Sequence, residues 1–482
     1  MGYNQESYKS RSLSTQRRWF PSYVIEEIDG GSPLDQKMSG NSSEWGLSSF
    51  FGRVNYAYDS KYLLEANFRY DGTSRIYKDN RWGLFPSFSG AWRISEECFI
   101  KDNLLWLNNL KLRASWGKLG NQSIGNYVYH DVYEASNVVI GGDMIQAMIQ
   151  TKLTDKTLTW EETAITDIGV DLNLWNNRFY MTFDWYNKIT SGILNEAPIP
   201  ASVGLAAPTV NYGKLRNRGV EIQIGHQNQL GDFTYGASFM ATFNKNKVLE
   251  LMAPSYGNYI NEVGLPYGEH YMYEWIGLFQ SEEEITNSAK HPYNVQPGDL
   301  KLKDQNNDGV IDGDDRIVVS GKHPKMLYSF NLNMGYKNFD LSAFFQGVAG
   351  RKIYTTQYII EPFSQGGPPT VDFRDAWTPE NTDTNIPALY GGFSYYKSDA
   401  IRSTYFLRDA SYLRLKNLQL GYNFDKNLIS KLGLSSLRLY FSGENLLTFT
   451  DYPHMDPERS GDGRHAVFPQ LKTYSIGLDV KF

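Results

Sequence analysis

Cysteine is almost missing from this 482-residue chain, with Cys98 its single copy. An intrachain disulfide is therefore excluded, and a cysteine-built zinc site has no ligand set. No histidine is spaced to act as its base, so Cys98 reads as a small buried or interfacial hydrophobe and not as a nucleophile. The seven histidines are scattered without ligand spacing. Long apolar runs are missing too, and nothing reaches the length of a transmembrane helix. The opening stretch MGYNQESYKSRSLSTQRRWF is polar and lacks the apolar centre of a signal peptide. Basic excess is absent, since the net charge is -6. Without a basic stripe the chain lacks the electrostatic footprint of nucleic-acid binding. The Gly-rich pieces GGFSYY, SQGGPP and GNQSIGN follow no strand-to-helix pattern, which argues against phosphate cradles. The acidic runs WEET and SEEE read as solvated faces rather than paired catalytic acids.

What is present is aromatic and turn-rich: Tyr, Phe and Trp make 15% of the chain, and Gly contributes 43 residues. Such composition suits strands and turns. The dominant pattern alternates. In MLYSFNLNMGY, Met326, Tyr328, Phe330, Leu332, Met334 and Tyr336 share one face, against Leu327, Ser329, Asn331, Asn333 and Gly335. FYMTFDWY, YLLEANFRY and YSIGLDVKF behave alike, with Glu65, Arg69, Asp184, Asp479 and Lys481 on the polar faces. A soluble sandwich would bury the apolar face, whereas an outer-membrane barrel would turn it to lipid and the polar face to a wet lumen. Strands of about ten residues and aromatics at both ends of the apolar rows favour the barrel.

About thirteen such strands are expected, from 46–58 to 471–482. Tight connections (DSK, NN, LGD, KN) alternate with long ones at 118–158, 189–216, 244–324, 349–409 and 448–470. Short turns on one rim and long extracellular loops on the other are the asymmetry of a barrel. The connection near 94–107 fits less well and has room for a short helix. Residues 1–45 read as a partial loop or strand remnant, so that strand 46–58 would be an open edge. Phe482 ends an alternating strand.

The loop LKDQNNDGVIDGDDR carries calcium-loop spacing. Asp304, Asn306, Asp308, the Val310 carbonyl, Asp312 and Asp315 fall at the ligating positions, Gly309 makes the sharp turn and Ile311 packs inward. Asp315 replaces the usual bidentate Glu, and no amphipathic helices flank the loop. A structural calcium or magnesium clip is expected. The competing reading is an Asx-turn loop with solvated carboxylates. In 349–409, Trp377, Tyr390, Tyr395 and Tyr396 beside Arg374 and Asp375 form a candidate sugar-stacking set, or else pack the loop onto itself.

With these residues on the page, PGDLKLKDQNNDGVIDGDDRIVVSGKHPKMLYSFNLNMGYKNFDLSAFFQGVAGRKIY resembles the C-terminal barrel region of SusC/RagA-type TonB-dependent outer-membrane transporters. So do GLSSFFGRVNYAYDSKYLLEANFRYDGTSR, NLKLRASWGKLGNQSIGNY, DASYLRLKNLQLGYNF and LRLYFSGENLLTFTDYPHMDPE. The resemblance covers the chain from about residue 46, in family order. It implies an all-β antiparallel transmembrane barrel of roughly 22 strands, of which about 13–14 are expected here. Residues 46–482 would then be the C-terminal part of the barrel, without the plug, TonB-box and signal peptide. It also implies a bacterial outer-membrane location, a SusD-like lipoprotein lid, the TonB complex as energy source, and oligosaccharide or peptide import with no reaction catalysed. The alternative is a secreted all-β glycan-binding or glycan-cleaving module with structural calcium.

Overall fold

The computed structural model describes residues 1–355, 368–389, 402–453, 456–459 and 470–482. Fourteen strands form one antiparallel sheet in which each pairs with the next. They are β1 (Gly2–Arg17), β2 (Gln36–Tyr58), β3 (Tyr62–Thr73), β4 (Trp82–Arg93), β5 (Leu107–Asn121), β6 (Glu161–Leu174) and β7 (Phe179–Ser191). The order continues with β8 (Lys214–Leu230), β9 (Phe233–Glu250), β10 (Met326–Tyr336), β11 (Phe339–Ala349), β12 (Tyr412–Asn423), β13 (Ser436–Thr450) and β14 (Thr473–Lys481).

The N-terminal region departs from expectation. Gly2–Arg17 is a complete strand paired with Gln36–Phe51, so β1, not residues 46–58, is one open edge of the sheet. Among the described residues β1 and β14 are not paired with each other. Neither β1 nor the first half of β2 carries an apolar row, which is why alternation did not reveal them. Without an apolar row the two-residue period leaves no trace in the sequence.

At one end of the sheet the connections are short. Gly231 (φ 62°), Lys337 (φ 52°), and Asp59 and Ser60 (φ 49° and 53°) adopt left-handed backbone there. Such turns match the right-handed twist of the flanking strands. The connection 94–106 holds the expected short helix, Cys98–Lys101, and Lys426–Ile429 forms a second one at the same end. The other end carries the segments 122–160, 192–213, 251–325 and 350–411.

The outward apolar rows are bare. Val54 is 69% exposed, Leu64 57%, Phe88 55%, Ile168 51% and Ile476 79%. A sandwich would cover these rows; a membrane strand presents them to lipid. Along β12 the alternation changes parity at Lys416, because a bulge there leaves Leu415 and Asn417 as successive paired residues. Tyr412 and Arg414 thereby share the inward face with Asn417, Gln419 and Gly421.

Residues 251–325 fold on their own terms. Ser255–Tyr256, Tyr259–Asn261, Glu269–Tyr273 and Arg316–Val319 make a four-stranded sheet, and Trp275–Leu278 pairs with Leu300–Leu302. The described residues of 350–411 pack against it. Met272, Tyr354, Tyr405 and Phe406 form one buried cluster, and Leu278, Trp377 and Ala388 another. The buried apolar residues are concentrated here rather than under the large sheet.

Candidate functional site

The inward face of the sheet is a wall of paired charges. Arg53 donates to Glu65, whose other oxygen accepts from Asn67 at 2.8 Å. Arg69 reaches Asp71 at 3.1 Å. Arg113 on β5 is shared by Asp184 at 2.6 Å, Asp171 at 3.2 Å and Asp167 at 3.6 Å. This pairing needs Gly169 between the strands: a Cβ there would lie 2.4 Å from Asp184 Oδ1 and 2.5 Å from Arg113 Cζ. The arrangement recurs on the far side. Arg438 meets Asp340 at 2.6 Å across Gly421, where a Cβ would lie 2.6 Å from both. Such pairs fix the wall's shape more than its stability. A cavity of about 500 Å³ is lined by Glu65, Ser89, Lys111, Arg113 and Asp167, and a neighbouring one of about 460 Å³ by Asn67, Arg69, Asp71 and Ser87. The wall suits hydrated polar contacts.

Above it, the segments 251–325 and 350–411 form the mouth. The guanidinium of Arg402 stacks on Tyr354 at 3.8 Å and Tyr259 at 4.6 Å. It also lies 3.3 Å from Nδ1 of the fully buried His270. Tyr273 N–H donates to the Arg402 carbonyl at 2.9 Å, and Trp275 N–H to Thr404 Oγ1 at 2.9 Å. These contacts join residues some 130 positions apart, beyond the reach of periodicity.

The residues expected from sequence divide. Within 304–315, Asp304 accepts from the N–H groups of Asn307 at 2.6 Å and Gly309 at 2.9 Å. Asp308 accepts from Val310 at 2.9 Å and Asp312 from Asp314 at 2.9 Å. Asp315, fully buried, accepts from Gln305 and Asp312, both at 2.8 Å. The side chain of Asn306 accepts from Asp308 N–H at 3.0 Å. Gly309 has φ 85°, the sharp turn expected of it, and Ile311 packs inward with Tyr273 and Leu302. The loop thus closes on its own backbone, and no group of three or more His, Cys, Asp or Glu side chains among the described residues is gathered as a metal set. Trp377 is not an exposed platform: it is 7% exposed and donates to Gln280 Oε1 at 2.9 Å. A loop large enough to have a core draws its aromatics inward. Arg374 and Asp375 are exposed beside it. Tyr390, Tyr395 and Tyr396 lie outside the described residues.

Residues 1–446 match the family described as TonB dependent receptor-like, beta-barrel. The chain belongs to that family. TonB-dependent receptor P3 of Formosa agariphila is 33% identical, covering 100% of this chain and 50% of that protein. TonB-dependent receptor SusC of Bacteroides thetaiotaomicron is 30% identical over 90% of this chain and 44% of its own length. The chain spans about half the length of the curated relatives it matches. The RagAB peptide importer in its open-open state superposes with a TM-score of 0.83 at 25% identity, covering 100% of this chain and 52% of that one. The SusC/RagA-type resemblance and the transmembrane barrel are thereby borne out. The fourteen strands are part of a bacterial outer-membrane barrel from a family of transporters, not enzymes.

In this TonB-dependent receptor barrel the mouth should be acid-sensitive. His291 is 7% exposed, and neither ring nitrogen has a hydrogen-bond partner among the described residues. Its ring meets Phe279 at 5.2 Å and Tyr293 at 5.7 Å. Burial lowers its pKa from 6.5 to about 4, with Lys301 adding to the effect. Below pH 6.5 the unfolded segment takes a proton that the folded one refuses until about pH 4. Stability is therefore lost as pH falls through that window, by about 3 kcal/mol in total. Amide protection of residues 273–311, taken relative to the intrinsic exchange rate at each pH, should fall from pH 7 to 4, and His291→Phe should flatten the profile. An unchanged profile in the variant would assign the sensitivity elsewhere.

Proposed function

We propose that this chain forms the wall and extracellular mouth of an importer for oligosaccharides or peptides. The complete protein works with a SusD-like surface lipoprotein and is energised through TonB. One observation carries the reading: a polar inner wall lies beneath a mouth folded from two insertions that share a core. The peptide half of the substrate class draws support from the RagAB structure, described as that of a peptide importer. A secreted glycan-binding module has no use for the exposed apolar rows. The test is uptake of fluorescently labelled oligosaccharides and oligopeptides by a strain lacking the gene. Uptake of one class should fall, and return with the complete gene but not with Phe406→Asp, which opens the core of the mouth. Undiminished uptake of both classes would overturn the proposal.

We also propose that loop 304–315 takes one calcium or magnesium ion. Its support is the ligand spacing, together with the lone pairs a carboxylate keeps after accepting one N–H per oxygen. Asp304→Ala with Asp308→Ala should remove one equivalent of bound calcium and speed proteolysis within 290–325. Equal metal content and unchanged cleavage would leave a self-capped turn.

A further inference from the structure

The outward face of β7, β8 and β9 changes character over two pleats. Val220 stands between Trp185 and Phe243, the last members of an apolar row. The next outward residue on β8, Arg218, stands between Asn187 and Lys245, and the one after it, Arg216, opposite Lys247. Because side chains alternate, these cations share the face of the apolar row and not that of the lumen. An aromatic row followed at once by cations marks the level where acyl chains give way to headgroups.

Segments 264–269 and 320–325 of the mouth overhang this edge. They close a recess of about 760 Å³ whose apolar lining includes Trp185, Val220 and Phe243. Its cations are Arg218, Lys245, Lys247 and Lys325, all exposed. Elsewhere on the sheet Arg53, Arg113, Lys118, Lys214 and Arg438 each have a carboxylate partner. None of the four recess cations has an ion pair or side-chain hydrogen bond among the described residues. The carboxylate in the lining is Glu269, 3% exposed. Burial raises the pKa of that carboxyl, which weakens it further as a counter-ion.

We propose that this recess binds the phosphorylated headgroup of an outer-leaflet glycolipid. The four cations take the phosphates, and Trp185, Val220 and Phe243 take the first carbons of the acyl chains. Continuity of cations and apolar row on one lipid-facing surface favours a lipid over a free anion, which would not need the apolar floor. Lysine and arginine at the headgroup level gain from anionic lipid by simple attraction, and that gain is screened by salt. Such binding would anchor the overhanging mouth to the membrane surface. It goes beyond the import reading and does not depend on which nutrient is carried.

The test uses the protein purified from outer membranes in detergent, with a bis-phosphorylated glycolipid added as probe and bound lipid counted by native mass spectrometry. Arg218→Gln, Lys245→Gln and Lys247→Gln combined should lower occupancy at least tenfold. Lys325→Gln alone, outside the strands, should lower it a few-fold. The dephosphorylated lipid should bind the unaltered protein as weakly as the native lipid binds the triple variant. Retention of the heat-induced mobility shift on gels confirms that the variants are folded. Equal occupancy in the variants overturns the proposal. Displacement of the lipid by inorganic phosphate alone makes this a free-anion site and also overturns it. So does loss of a co-purifying acidic protein with lipid occupancy unchanged, which would make the recess a protein interface. Failure of nutrient uptake tests leaves this measurement untouched.

Discussion

Arg414→Leu is expected to destabilise the upper end of β12 and β13 by about 3–5 kcal/mol. The Arg414 side chain is 3% exposed and holds Asp456 at 2.9 Å and Glu458 at 2.5 Å. It also donates to Thr448 at 2.8 Å. Glu458 accepts further from Lys416 at 2.6 Å and from the Tyr412 hydroxyl at 2.9 Å. Forming such a pair brings little net stability, because both ions lose water. Removing one member is a different matter, since the carboxylates stay behind partly buried and under-compensated. The lost contacts also free the segment after β13, which Arg351 clasps through the carbonyls of Pro457 and Arg459. Denaturant unfolding and proteolysis within 451–459 measure the effect. Adding Asp456→Asn and Glu458→Gln should recover most of the loss, because the stranded charges are then gone. A loss below about 1 kcal/mol would place Arg414 among ordinary solvent-screened pairs.

Leu332→Arg should cost about 2–4 kcal/mol, while Asn331→Arg should be nearly neutral. Leu332 lies mid-strand, opposite Ala237 and Ala343, in the outward row. Its neighbour Asn331 lies opposite Ser238 and Phe344 on the other face. A charge in the first row must be held against hydrocarbon, whereas one in the second meets the wet lumen. Unfolding midpoints in liposomes distinguish the two. Equal costs would mean that both faces see the same medium.

The contrast between those faces is also what made β10 legible in sequence: Met326 to Tyr336 alternate because two media select them. β1 was not legible, since Gly2–Arg17 is polar on both faces. Nor was the parity change on β12, where Lys416 is an added residue that a two-residue period cannot anticipate. At the mouth, spacing located the turn at Gly309 and the inward Ile311 but not the way its carboxylates spend their bonds on the loop's own N–H groups. Of the two readings open for Trp377, a sugar platform or packing within the loop, its burial matches the second, because this loop has an interior. His270 and Arg402 carry no local signal, for each acquires its meaning from a partner over a hundred residues away.

The most direct test of the membrane-wall assignment begins from the chain's one cysteine. With Cys98→Ser as background, single cysteines at each position from 326 to 336 would be labelled in outer-membrane vesicles by a water-soluble and a lipid-soluble maleimide. Positions 328, 330, 332 and 334 should react with the lipid-soluble reagent alone, and 329, 331 and 333 with the aqueous one. Uniform aqueous labelling, or the same pattern with the faces exchanged, would contradict the assignment of this sheet to the membrane.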